Sequence, residues 1–195
     1  MKSINNFIVK IDSTTQDKIT TNSGLELYVD TKFNEFEHRT TEGEVLAIPN
    51  NRETPVEVGD KLYFHHHVVV DGGMPISELD KWYMVVYNPH HAAYNQAIAF
   101  KSKRTGEVHS IQGWALLDPP EAEKEKEVEE DQIKVVRLKE NPVTTGVVSF
   151  PSKELDEIGV SNGDVVGFKK NRDYRIKIDG KEYYRVAVTE LLYKL

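Results

Sequence analysis

Gly59-Asp60-Lys61-Leu62-Tyr63-Phe64 decides how this chain is read, because Gly163-Asp164-Val165-Val166-Gly167-Phe168 repeats it in the C-terminal half. In each, glycine accepts a positive φ and aspartate bonds the backbone two residues on, so the pair closes a tight turn ahead of an apolar strand. Upstream, Gly43-Glu44-Val45-Leu46-Ala47-Ile48-Pro49 is echoed by Gly146-Val147-Val148-Ser149-Phe150-Pro151. Farther out, Phe7-Ile8-Val9-Lys10-Ile11 is matched with Ile133-Lys134-Val135-Val136-Arg137-Leu138. The segment Gly106 to Ile111, running on to Trp114-Ala115-Leu116-Leu117, is matched with Gly180 to Val186, running on to Glu190-Leu191-Leu192. Four correspondences in one order predict two copies of a single small β-barrel.

The rest of the pattern is that of an all-β chain. Short segments rich in β-branched and aromatic residues, such as Trp82 to Tyr87 and Ala97 to Lys101, are separated by Gly, Pro, Asn and Asp. Ile176 to Tyr184 alternates around Asp179-Gly180, the signature of a type I′ hairpin. Helical periodicity is confined to the tract from Pro119 to Asp131 and to Ser152 through Ile158.

Charge locates the expected domain boundary. Of the 195 residues, 32 are acidic and 25 basic, for a net charge of −7. Residues 121–131 alone hold seven acids against Lys124 and Lys126, and this stretch follows Pro119-Pro120. Such a run cannot bury a core, so residues 119–131 are expected to be an acidic linker between a domain at 1–118 and a second at 132–195. With the tract set aside the remainder is nearly neutral, which argues against nucleic-acid or anionic-membrane binding. No cysteine is present, which excludes a disulfide framework and a thiolate zinc site. The apolar run near the N-terminus is too short for a signal peptide and no 18-residue apolar run occurs, so a soluble cytoplasmic protein is expected.

Between the first two strand signals of the N-terminal copy lies a long polar stretch, about residues 12–41, interrupted by Ser23-Gly24-Leu25-Glu26-Leu27. The order of an apolar plug in a polar loop, a Gly-Glu-led strand and a Gly-Asp-led strand resembles the GroES-type co-chaperonins, a family with duplicated and virus-encoded members. Val188 to Leu195 is similar to that family's closing strand. The resemblance implies that Gly24, Leu25, Glu26, Leu27 and Tyr28 dock on a GroEL-type chaperonin as a mobile loop. It further implies a homo-oligomeric ring, heptameric to match the chaperonin, that encloses unfolded protein. No cofactor is required and ATP hydrolysis belongs to the partner. Leu25 and Leu27, two apart, face one side of an extended strand, with Glu26 on the other where the family carries an apolar residue. The competing reading of this stretch is a further strand of the barrel.

The C-terminal copy, with only Lys139 to Thr145 between its first two strand signals, is expected to lack such a loop. The first copy carries an expected insertion at about residues 70–96, and the resemblance implies that either this insertion or the second domain roofs the dome that such a ring forms. One other signal points to chemistry: Gly59 followed by His65-His66-His67 and Asp71 fits half of a cupin motif, with His65 and His67 on one strand face and Asp71 as the carboxylate of a metal-binding enzyme. The second half is missing, since no histidine follows His109. No Gly-x-Ser-x-Gly elbow or phosphate-cradling glycine loop occurs, so no catalytic residue is assigned. A structural β-barrel protein of a phage particle is the third alternative.

Overall fold

The computed structural model describes residues 2–15, 18–20, 24–28, 38–69, 74–91, 94–119, 143–150 and 152–195. The chain divides into two compact units, Met1–Trp114 and Ala115–Leu195. The strands in chain order are β1 (Phe7–Lys10), β2 (Lys18–Thr20), β3 (Glu26–Tyr28), β4 (Glu42–Ala47), β5 (Lys61–Phe64), β6 (Met74–Ser77), β7 (Trp82–Val85), β8 (Ala97–Lys101), β9 (Val108–Ser110) and β10 (Trp114–Asp118). They continue as β11 (Val143–Val148), β12 (Val165–Lys169), β13 (Tyr174–Ile178), β14 (Lys181–Ala187) and β15 (Leu191–Lys194). A single turn of helix, α1 (Lys153–Glu157), is capped where Ser152 Oγ accepts from the Leu155 N–H at 3.2 Å. Among the described residues no helix is long and apolar enough to cross a membrane.

Among the described residues the chain is all-β, with two large antiparallel sheets, as its alternation predicts. One runs β6-β7-β1-β4-β5-β8-β9 and the other β13-β14-β10-β11-β12-β15. The first six strands of one sheet and the six of the other follow the same chain-order pattern, so the duplication is a duplication of topology. Two of the four sequence correspondences coincide with it at atomic detail. Gly59 N–H donates to the Val45 carbonyl at 2.8 Å and Val45 N–H to the Asp60 carbonyl at 2.9 Å. Gly163 N–H and the Val148 carbonyl, and Val148 N–H and the Asp164 carbonyl, repeat this at 2.8 and 2.9 Å. Both glycines are left-handed, at φ +92° and +89°.

The other two correspondences shift. The counterpart of β1 is β10, not residues 133–138, which lie outside the described residues. Leu117 and Asp118 pair with Val148 and Val147, as Ile8 and Val9 pair with Ala47 and Val45. Trp114 through Leu117 are buried, the near-continuous apolar run of a strand covered on both faces. The counterpart of the β13–β14 hairpin is β6–β7, which pairs with β1 through Phe7–Val85 and Lys10–Trp82. Met74–Ser77 and Trp82–Val85 of the expected insertion at 70–96 are therefore strands of the first sheet. The tract expected to link two domains joins two neighbouring strands of one sheet, and occupies the connection that residues 11–41 occupy between β1 and β4. Composition reported its polarity, not which strands flank it; residues 120–131 themselves are outside the described set.

Each unit has its own core. In the first, Phe7, Val9, Val45, Leu62, Phe64 and Phe100 pack together, and in the second Leu117, Leu155, Val166, Phe168 and Val186 do. Two glycines set the approach of the first two strands in each sheet. A Cβ on Gly43 would lie 2.8 Å from the Lys10 carbonyl oxygen, and one on Gly146 2.9 Å from Leu117 Cβ and 3.0 Å from the Asp118 carbonyl oxygen. Backbone cannot swing aside, so Gly43→Ala and Gly146→Ala are each expected to cost about 1–3 kcal/mol. Hydrogen exchange followed by peptide checks this: each variant should lose protection in its own unit.

An acid-sensitive contact closes the second sheet's edge. Lys194 Nζ lies 2.7 Å from Asp164 Oδ2, which also accepts from the Ser161 N–H at 2.6 Å. The lysine contact first, then the backbone bond, holds the Asp164 carboxyl below its ordinary value of 3.8. A depressed carboxylate contributes stability above the unfolded value and loses it as pH falls through the folded one. Below about pH 4 the wild-type melting temperature should therefore drop more steeply than that of Asp164→Asn, measured as a melting series against pH.

Candidate partner-binding loop

The loop between β1 and β4 is fastened at its foot. Thr40 N–H donates to the Thr14 carbonyl at 3.0 Å, Thr40 Oγ donates to the Ser13 carbonyl, and Thr15 bridges Arg39. Thr40 is buried, so the two arms are zipped where they leave the first unit. A polar cleft of about 490 Å³ opens beside this foot, lined by Lys10, Asp12, Thr15, Glu42, Asp60 and Lys61 among others. Its charges are of both signs, and it selects no ligand class.

Beyond the foot, β2 and β3 form an antiparallel pair with Lys18 opposite Tyr28, Ile19 opposite Leu27 and Thr20 opposite Glu26. This pair is a sheet of its own, joined to neither large sheet. The reading of Leu25 onward as one more strand of the main wall is not what the fold builds. Gly24, at φ +82° with open space around it, leads into β3 through a left-handed conformation that favours glycine for its backbone rather than for room.

Gly24 through Tyr28 are all exposed. Leu25 retains 59% of its surface, Leu27 47% and Tyr28 74%. Three large apolar side chains on a two-stranded ribbon are an unusual surface, since such a ribbon is at best marginally stable in water and has no core of its own. The residues singled out from sequence are thus brought together on one short strand and its approach. Sequence reading missed the partner strand: Lys18-Ile19-Thr20 lies in what reads as an undifferentiated polar flank, and a single isoleucine is its only signal. It also missed the Thr40 zipper, whose residues are ordinary in a polar loop.

His65, His66 and His67 leave the strand altogether. β5 ends at Phe64, and His66–Val69 is a 3-10 turn. His65 and His67 therefore do not alternate on a strand face as the cupin reading requires, because the chain turns as soon as Phe64 is buried. Asp71 lies outside the described residues. In the second unit the corresponding Lys169 is still strand and Lys170-Asn171 form a turn. No protein-family model matches this chain, and no curated protein matches it either.

Proposed function

We propose that this chain is a co-chaperonin, which caps a GroEL-type chaperonin by inserting the apolar segment Gly24 to Tyr28 into a groove on that partner and assists ATP-dependent folding without covalent chemistry of its own. The observation that carries the reading is the exposure of Leu25, Leu27 and Tyr28 on or beside a two-stranded ribbon that, among the described residues, is a sheet separate from the two large ones. Each sheet, on this reading, is the wall of a small GroES-like barrel. The chains assemble in the cytoplasm as a homo-oligomeric ring, heptameric to match the partner.

Energetics favour a ring over a lone chain. Burying two leucines and a tyrosine is worth about 5–8 kcal/mol. Ordering about six residues costs about 6–12 kcal/mol, and added backbone hydrogen bonds bring one loop close to zero. Loops carried on a common ring turn later contacts into intramolecular ones, raising avidity by about 10² to 10⁴. Weak individual loops also keep the cap removable.

The test is native mass with and without a GroEL-type chaperonin and nucleotide. A heptamer of about 156 kDa, seven times the 22.3 kDa chain, that joins the chaperonin only with nucleotide is expected. A monomer that leaves the chaperonin's ATPase and refolding yield unchanged overturns the reading.

A further inference from the structure

We propose that His65, His66 and His67 form a binding site for a divalent transition-metal ion of the zinc type, held by three imidazoles with the remaining coordination open to solvent. The inference is independent of the chaperonin reading and concerns a different part of the first unit.

Three consecutive histidines on an extended strand would alternate faces and could not converge. Here the chain leaves β5 after Phe64 and enters the 3-10 turn, and the three imidazoles crowd together. One ligand nitrogen from each ring lies within 4.8 Å of those of the other two. The rings crowd together, with centroids 4.4 Å apart for His65–His66, 4.5 Å for His65–His67 and 4.3 Å for His66–His67. Metal–nitrogen bonds of about 2.0–2.1 Å place tetrahedral ligand nitrogens about 3.4 Å apart. Side-chain rotation closes that difference while the backbone stays where it is.

The backbone is pinned on each side of the cluster. Phe64 N–H donates to the Thr41 carbonyl at 2.8 Å and His65 N–H to the Gln96 carbonyl at 3.0 Å. Val68 N–H returns to the His65 carbonyl at 3.0 Å, and the Val68 side chain is buried in the core. The turn packs against β6 and β7. A cluster whose backbone is already ordered loses little entropy on closing around an ion. Inside it, His67 N–H donates to His65 Nδ1 at 3.3 Å, a long bond whose exchange for a metal bond costs little. His65 and His66 are half-buried and His67 is exposed, which leaves an entry path for an ion. An all-imidazole donor set favours zinc, copper and nickel over magnesium and calcium, which take oxygen.

Calorimetric titration of untagged full-length protein with zinc chloride tests the site. One ion per chain with a dissociation constant below about 10 μM is expected, and Co²⁺ should give the visible absorption of a low-symmetry, nitrogen-ligated ion. Single replacements His65→Ala, His66→Ala and His67→Ala should each weaken binding at least about tenfold. Exposed His67 makes that variant a probe that leaves the fold intact, which circular dichroism verifies. His90→Ala combined with His91→Ala should leave the affinity unchanged. Absence of one-to-one binding, or binding that survives His67→Ala and is lost with His90 and His91, overturns the proposal.

Discussion

Replacing Leu25 and Leu27 together by aspartate is expected, on the proposed co-chaperonin reading, to abolish capture by a GroEL-type chaperonin while leaving the proposed ring and both sheets intact. The two side chains are 59% and 47% exposed on the β2–β3 ribbon, and neither belongs to the core of the first unit. Their removal therefore costs the folded chain little. At a groove the balance reverses: each leucine forfeits about 1.5–3 kcal/mol of burial, and each aspartate brings a charge that must be desolvated. On the proposed reading a single loop is close to thermodynamic neutrality before the change, so even the smaller figure takes every loop of the proposed ring out of contention at once. Surface-plasmon titration against immobilised chaperonin with nucleotide should show a loss beyond about a hundredfold, with an unchanged ring mass. Retention of binding by an intact double variant would exclude this ribbon as the docking element.

The largest stability loss is expected at Asp60. Its carboxylate, 3% exposed, accepts from the Glu57 N–H at 2.8 Å through Oδ2 and from the Lys103 N–H at 2.8 Å through Oδ1. It thereby closes its own turn and ties β5 to the loop that follows β8. Asp60→Ala strands two backbone donors with no acceptor. Hydrogen bonds to a charged group contribute about 1.5–3 kcal/mol each, so the loss is about 3–6 kcal/mol. For a unit of this size that lowers the melting temperature by about 10–20 °C. Asp164→Ala should be milder, although Asp164 makes the same turn bond to Ser161, because its second partner is the exposed Lys194 side chain rather than a backbone N–H. Melting followed separately in each unit distinguishes the two, and equal losses would mean that the Lys103 bond is immaterial.

The Gly-Asp turns and the strands beside them were legible because their constraint is local, a positive φ and a short acceptor side chain acting within four residues, although each aspartate accepts from the N–H three residues before it rather than bonding two residues on as expected. The plug from Gly24 to Tyr28 was legible for a related reason, as apolar residues in a polar run have nowhere local to hide. Strand pairing was less so. Phe7 to Ile11 is answered in sequence by Ile133 to Leu138, yet Trp114 to Leu117 takes that place in the second sheet. Both segments are apolar enough for a strand, and alternation does not say which neighbour a strand accepts. The same ambiguity made residues 119–131 read as a boundary when they lie between β10 and β11. His65 to His67 misled differently: a strand pattern carried on to His67 puts His65 and His67 on one face, whereas the chain turns after Phe64, between the buried Phe64 and Val68.

By itself the sequence determined that this protein is all-β, that its architecture is duplicated about two Gly-Asp turns, and that an apolar segment stands in its first long connection. These follow from dihedral preference, alternation and composition, which each residue carries wherever it goes. Tertiary structure alone decided that the strand before the second long connection is β10, that β2 and β3 form a ribbon apart from the large sheets, and that three histidines converge. Those outcomes depend on which surfaces exclude water together, a competition among distant segments that no single stretch of chain can settle.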